Sequence, residues 1–171
     1  CNESGMHASR PAEAGFTVKS IRWLVVFDEQ GRFLNVQTLA DPNDKRSKGR
    51  SFPKAPHLKF SGDTPMRQFL IDTAEYALLY EAGEPDKKLR AKHEYFLNLL
   101  NEAGASDSRF QMLFKTLSNE RVREKICAKL TENKAKASEN VTFAFLDKIG
   151  NVCVLVEDDG WHDWWRDYFP T

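Results

Sequence analysis

Apolar side chains near both ends of the chain predict β-hairpins. Residues 21–27 (IRWLVVF) are rich in β-branched and aromatic side chains, a composition typical of a buried strand. A turn at residues 28–31 leads into a second strand, marked by the spaced apolar residues Phe33, Val36 and Leu39. A second hairpin is predicted late in the chain, with its strands and turn at residues 141–146, 148–151 and 152–156.

Between the hairpins, apolar residues recur every three or four positions, which predicts about four amphipathic helices. The first would begin at residues 63–65 (DTP), where a capping side chain precedes a proline, and would bury a stripe from Met66 to Leu78. The others would begin near Pro85, at Ser106 or Ser108, and at Asn119. Tryptophans at helical spacing predict a short C-terminal helix. The pattern indicates an α+β fold, with an antiparallel sheet from the two hairpins and a central helical segment.

Length and composition are those of one ordinary globular domain. The 171 residues are 41% apolar and 29% charged, enough for a core and unlike a disordered chain. No apolar run approaches the roughly 18 residues of a membrane span. The three distant cysteines, Cys1, Cys127 and Cys153, form no C-x-x-C pair and favour reduced thiols in a cytoplasmic protein. A lipid anchor on Cys1 is the alternative.

Positive charge is concentrated in one segment, although the chain carries 25 basic and 25 acidic residues. We treat residues 40–64 as a basic loop, held extended by Pro53 and Pro56. Residues 45–67 contain one acid, Asp63, and seven cations: Lys45, Arg46, Lys48, Arg50, Lys54, Lys59 and Arg67. Lysines, arginines and accessible backbone N–H groups are the natural partners of phosphate. The segment is therefore either a polyanion site or a solvated loop that serves solubility.

No motif makes a case for an enzyme. The chain has no glycine-rich phosphate loop, no G-x-S-x-G and no H-E-x-x-H. Asp158, Asp159, His162 and Asp163 could bind a metal, but the tryptophans between them favour the packing face of a helix. Stacking of those tryptophans on nucleobases is a secondary interpretation. We predict no catalytic residue, no metal and no cofactor.

Three consecutive pieces resemble one known family. They are "WLVVFDEQGRFLNVQTL", the basic proline-containing segment, and "SGDTPMRQFLIDTAEYALLY". They are similar to the N-terminal part of the large subunit of the type I-C CRISPR Cascade surveillance complex. That family has a strand-turn-strand, a basic stretch and a segment of the form "NFLWDNAEYVLG", which matches here at Phe69, Leu70, Asp72, Glu75 and Tyr76. The chain departs from the family with Gln68 for asparagine, Ile71 for tryptophan and Thr73 for asparagine.

The resemblance implies a function and partners. The subunit would recognise the protospacer-adjacent motif in double-stranded DNA and aid strand separation for the guide RNA. Its partners would be the other Cascade subunits and a recruited helicase–nuclease, and this single domain would be the N-terminal portion of a longer subunit. The seven cations would contact DNA phosphates, with Arg50 and Lys54 foremost, and the residues expected to read bases are Ser61, Gly62 and Gln68. The alternatives are a protein-docking domain whose basic loop binds an acidic partner, and a lipid-anchored surface protein.

Overall fold

The computed structural model describes residues 15–57 and 68–168, and seven strands in these ranges form two sheets. The strands are β1 (Phe16–Ile21), β2 (Trp23–Phe27), β3 (Phe33–Thr38), β4 (Arg50–Pro56), β5 (Asp72–Thr73), β6 (Asn140–Leu146) and β7 (Val152–Val154). The helices are α1 (Ala74–Leu78), α2 (Lys87–Ala103), α3 (Ser108–Ser118), α4 (Glu120–Glu132) and, after a 3₁₀ turn at Asp159–Trp161, α5 (His162–Tyr168). The predicted α+β fold is confirmed.

Both predicted hairpins are present, and a parallel pairing joins them. Strands β2 and β3 are antiparallel, as are β6 and β7. The sequence did not predict that β2 lies parallel to β6, with Trp23 opposite Val141 and Phe27 opposite Phe145. Every residue of β2 is buried. Such continuous burial requires cover on both faces of the sheet.

Different segments cover the two faces. Phe96 of α2 packs on one face, with its ring centroid 6.1 Å from that of Phe143. The neighbouring residue in the strand points the other way. There the Thr142 hydroxyl donates a 2.9 Å hydrogen bond to the carbonyl oxygen of Leu70. The centre of the sheet is therefore fixed between α2 and the chain around Leu70.

The first central helix begins later than the sequence predicts. Residues 63–67 lie outside the described residues, and the chain from Gln68 to Thr73 is not helical. Leu70 has φ +67°, and the N–H of Ile71 donates to the carbonyl of Phe69, which makes a γ-turn. Asp72 and Thr73 then pair with β6. Phe69, Leu70 and Ile71 are all buried. The first part of the predicted apolar stripe is therefore a buried turn, and only its later part lies in α1.

The other helix boundaries follow local capping chemistry. Asp86 caps α2 by accepting from the N–H of Leu89, and Gly104 follows its last residue. Asp107 caps α3, in place of the predicted serines. Asn119 caps α4 as predicted, accepting from the N–H groups of Arg121 and Val122. These side chains satisfy backbone N–H groups that a helix start leaves without partners.

Strands β1 and β4 form a separate antiparallel ribbon that the sequence analysis missed. Part of the segment predicted as a basic loop is thus a strand. Between Thr17 and Lys19 the register shifts, so that Pro53 and Lys54 together lie opposite Val18. This β-bulge accommodates Pro53, which has no N–H to donate to a regular ladder.

The C-terminal helix packs as predicted, through its aromatic side chains. Trp161 and Trp165 are buried, and Phe69 stacks on Trp165 with ring centroids 5.3 Å apart. The Arg109 guanidinium forms ion pairs with Asp107 and Asp158, which ties the start of α3 to the 3₁₀ turn. The helix thereby closes over the end of the β1–β4 ribbon, where Phe16 contacts Trp161.

Candidate nucleic-acid interface

Five of the seven predicted phosphate contacts lie in two adjoining segments. Lys45, Arg46 and Lys48 are in the loop between β3 and β4, whereas Arg50 and Lys54 are on β4 itself. All five are exposed. Of the other predicted site residues, Gln68 lies within the described residues, whereas Lys59, Ser61, Gly62 and Arg67 lie outside them.

The loop that carries Lys45, Arg46 and Lys48 is built from consecutive turns. The carboxylate of Asp41 accepts from the N–H of Asn43, and that of Asp44 accepts from the N–H of Arg46. The Ser47 hydroxyl oxygen accepts from the N–H groups of Asp41 and Gly49, at 2.9 and 3.1 Å. Because Asp41 and Asp44 each cap a turn, the backbone that carries Lys45, Arg46 and Lys48 after them follows a defined path.

Two contacts hold this loop against the strands. Arg22 donates from Nη1 to the carbonyl oxygen of Ser47 at 2.6 Å. Gly49 has φ +107°, and a Cβ atom there would lie 1.8 Å from the carbonyl oxygen of Ile21. A glycine is therefore required where the loop presses on the end of β1.

On β4, the two cations lie over aromatic rings. The Arg50 guanidinium is 4.5 Å from the centroid of Phe52, and the Lys54 ammonium is 5.1 Å from that of Phe16. Arg50 also forms an ion pair with Glu157 at 3.0 Å, with both side chains about half exposed. An exposed pair of this kind contributes about 0–1 kcal/mol, so a phosphate can compete with the Glu157 carboxylate.

Gln68 lies in a different environment from the one expected. We predicted a residue at the start of a helix, but Gln68 is buried outside any helix, and its Oε1 accepts from Lys19 Nζ at 2.9 Å. Burial lowers the pKa of Lys19, and the nearby Asp72 opposes that effect. Burial also raises the pKa of Asp72 to about 7, against the opposing effects of the Thr73 N–H and of Lys19 and Lys92. Gln68 thus belongs to a polar cluster beneath the ribbon.

Two cations that the sequence analysis did not select complete a cleft beside the basic loop. The cleft has a volume of about 710 Å³, and its charged residues are Arg22, Lys45, Arg46, Lys48, Lys136 and Glu139. Lys136 belongs to the polar segment before β6, which lies beside Arg22 because β2 and β6 are parallel. In the sequence, only the spacing of lysines in "TENKAKASEN" indicated that Lys136 could belong to a basic site, and that pattern is also typical of a solvated loop.

The other candidates, predicted near the C-terminus, take part in packing and ion pairs. His162 is buried against Phe16, Asp158 pairs with Arg109, and Asp163 is exposed beside Arg166. No group of His, Cys, Asp and Glu within residues 15–57 and 68–168 could hold a metal ion. Burial raises the pKa of Cys127 to about 11 and also raises that of Cys153, so these thiols are protonated at neutral pH.

The fold and this surface define an α+β domain with one strongly basic side, made by the β3–β4 loop, β4 and the cleft. The sequence matches the family described as CRISPR-associated protein (Cas_Csd1) over residues 1–171, and the chain belongs to that family. The family resemblance seen in the sequence is thereby confirmed. A search of curated proteins found no match. None of the helices in the described residues is long and apolar enough to cross a membrane.

Proposed function

We propose that this chain is a non-catalytic DNA-binding part of a CRISPR effector complex of type I-C. In this role it recognises the protospacer-adjacent motif in double-stranded DNA and aids strand separation for pairing with the guide RNA. The other Cascade subunits and a recruited helicase–nuclease are its partners, and the complex acts in the cytoplasm. Membership of the CRISPR-associated family supports the cellular role.

The observation that carries the DNA-binding proposal is the placement of the basic residues. Lys45, Arg46 and Lys48 occupy a loop fixed by its own hydrogen bonds, and Arg50 and Lys54 continue the same basic surface on β4. A solvated loop that served solubility alone would not need this fixed geometry. Phosphate contacts fix the register of a protein on a duplex, and neighbouring polar groups then read the bases.

The assembled complex, with its guide RNA, tests this function. Binding is measured to duplexes with an intact or a scrambled motif, for wild type, Arg50→Ala/Lys54→Ala and Gln68→Ala. We expect the double variant to weaken binding of both duplexes, because phosphate contacts carry no sequence information. Gln68→Ala should leave the preference for the motif unchanged, because the Gln68 side chain is buried and accepts from Lys19 instead of facing solvent.

Lys115→Ala/Lys125→Ala is the matched control, since both lysines are exposed on helices and neither belongs to the basic loop or lines the cleft. Assembly and thermal unfolding of each variant are checked first, because Gln68 also bonds to Lys19. If Arg50→Ala/Lys54→Ala binds every duplex as wild type does, the DNA-binding proposal is wrong. If it instead loses a protein partner, the basic surface is a docking site for an acidic protein.

A further inference from the structure

The cleft beside the basic loop has two walls that come from distant parts of the chain. One wall is the loop with Lys45, Arg46 and Lys48, and the other is the segment from Lys136 to Asn140. Arg22 lies between them. Its guanidinium donates to the Ser47 carbonyl on one wall, and its backbone N–H donates to the Asn140 carbonyl on the other, at 3.2 Å. The two walls are therefore held in a fixed relation, which reduces the ordering cost of binding a ligand.

The cleft is positively charged, because its lining has five cations and one carboxylate, and that carboxylate is already engaged. Glu139 accepts hydrogen bonds from Trp23 Nε1 at 3.0 Å and from the Lys136 N–H at 2.7 Å. Its Oε2 also lies 3.3 Å from Arg22 Nε. No ion pair within residues 15–57 and 68–168 involves Lys45, Arg46, Lys48 or Lys136, and all four are exposed.

The size and lining of the cleft indicate what it can hold. A volume of about 710 Å³ is in the range of sites for small or extended ligands, and it is too small to enclose a duplex, whose major groove alone is about 12 Å wide. Serine and asparagine side chains supplement the cations. Trp23 is 3% exposed, so it offers no ring on which a base could stack.

We propose that the cleft binds the sugar–phosphate backbone of a single nucleic-acid strand, with little preference for sequence. Lys45 and Lys136 contact phosphates from opposite walls, and Arg46 and Lys48 add charge along the loop. The proposal rests on the proposed function, in that the chain acts on nucleic acid. It adds the wall at Lys136, which is not among the proposed duplex contacts, and the strand is single-stranded DNA or RNA.

The test uses the assembled complex and labelled oligonucleotides that are not complementary to the guide. Single-stranded DNA, single-stranded RNA and duplex DNA are bound to wild type, Lys136→Ala, and the control Lys134→Ala. Lys134 is exposed and lies two residues before Lys136, but it does not line the cleft. Arg22 is left unchanged because it holds the walls together.

We expect Lys136→Ala to weaken single-strand binding about fivefold and to reduce the salt slope by about 0.7 units, the contribution of one single-strand phosphate contact. Duplex binding should change by less than about twofold. Whichever single strand shows the larger loss identifies the natural source.

An unchanged single-strand affinity would overturn the proposal. So would an equal loss for single strands and duplex, because the cleft would then be part of the duplex site. Displacement by an acidic peptide, with no effect of the variant on nucleic acid, would also overturn it. These outcomes are separable from failure of the proposed function, because that function is tested by Arg50→Ala/Lys54→Ala on duplex DNA.

Discussion

Gly49 is the residue at which the basic loop meets the strand framework. Its φ of +107° is in the range that favours glycine, and the nearest atoms to an added Cβ belong to the backbone of Ile21 and Arg22. Backbone atoms of paired strands cannot move aside as a flexible side chain can. The position of Lys45, Arg46 and Lys48 therefore depends on this one glycine.

We predict that Gly49→Ala destabilises the protein by roughly 2–4 kcal/mol, because it adds a steric clash to an unfavourable backbone conformation. The control is Gly83→Ala, where φ is +58° but no atom lies within 4 Å of the added Cβ. Gly83→Ala should cost about 1 kcal/mol, the conformational penalty alone. Urea unfolding measures both, and equal losses in the two variants would contradict the assigned contact.

Asp72 makes stability depend on pH. Its pKa is about 7 in the folded protein because the carboxyl group is buried, against about 3.9 in an unfolded chain. As pH rises through this range, the unfolded chain releases the proton and the folded chain keeps it, so stability falls. Above about pH 7 the Asp72 carboxyl group is ionised in both the folded and the unfolded state, so its contribution to stability no longer changes with pH.

Wild type should lose stability between pH 5 and pH 8, whereas Asp72→Asn should not. We therefore predict that the free energy of unfolding of Asp72→Asn, relative to that of wild type, rises by a few kcal/mol over this range. Asparagine keeps the oxygen that accepts from the Thr73 N–H. Asp163→Asn, at a 97% exposed side chain, is the control and should track wild type. The measurement is urea unfolding at both pH values. If the free energies of unfolding of Asp72→Asn and wild type differ by the same amount at both pH values, Asp72 does not titrate in this range.

At the residue scale, the sequence predicted which cations are exposed but not which polar residues are buried. The cations at 45–54 were predicted as exposed and are exposed. The burial of Gln68 and Asp72 was not predicted, because it depends on Lys19 and on the pairing of β5 with β6, both distant in sequence.

Among the elements, β4 is the one whose role changes most once the structure is known. Its two prolines and two exposed cations suggested a loop, yet Phe52 and Ala55 are buried and pair with β1. Both proline positions are compatible with a strand, since Pro53 lies at a bulge and Pro56 at the strand end. Hairpins and helix caps were predictable because they depend on neighbours in sequence, whereas β1–β4 pairing joins residues 29 to 40 positions apart, from Ile21 with Arg50 to Phe16 with Pro56.

In the proposed function, Glu157 competes with a DNA phosphate for the Arg50 guanidinium, with which it forms an ion pair. We predict that Glu157→Gln tightens duplex binding by the assembled complex a fewfold at low salt, because it removes a nearby negative charge. Glu102→Gln, at an exposed position on α2, is the control. Affinity is measured by titration of labelled duplex. Weaker or unchanged binding by Glu157→Gln would indicate that Arg50 does not contact phosphate.

For the whole molecule, the parallel pairing of β2 with β6 creates the cleft of the basic side. It places Arg22 next to Asn140, across more than a hundred residues of intervening chain, and so brings the two walls of the cleft together. Local sequence patterns carry no information about such a contact. The overall fold class could be predicted from the sequence, whereas half of the cleft could not.

The central claim is that the basic loop and β4 bind DNA phosphates, and the salt dependence of duplex binding tests it most directly. Each phosphate contact contributes about 0.9 to the slope of log affinity against log salt. In the assembled complex, Arg50→Ala/Lys54→Ala should flatten that slope by about two units and weaken binding of duplexes with or without the motif, whereas Lys115→Ala/Lys125→Ala should leave it unchanged. A slope and affinity equal to those of wild type would contradict the account.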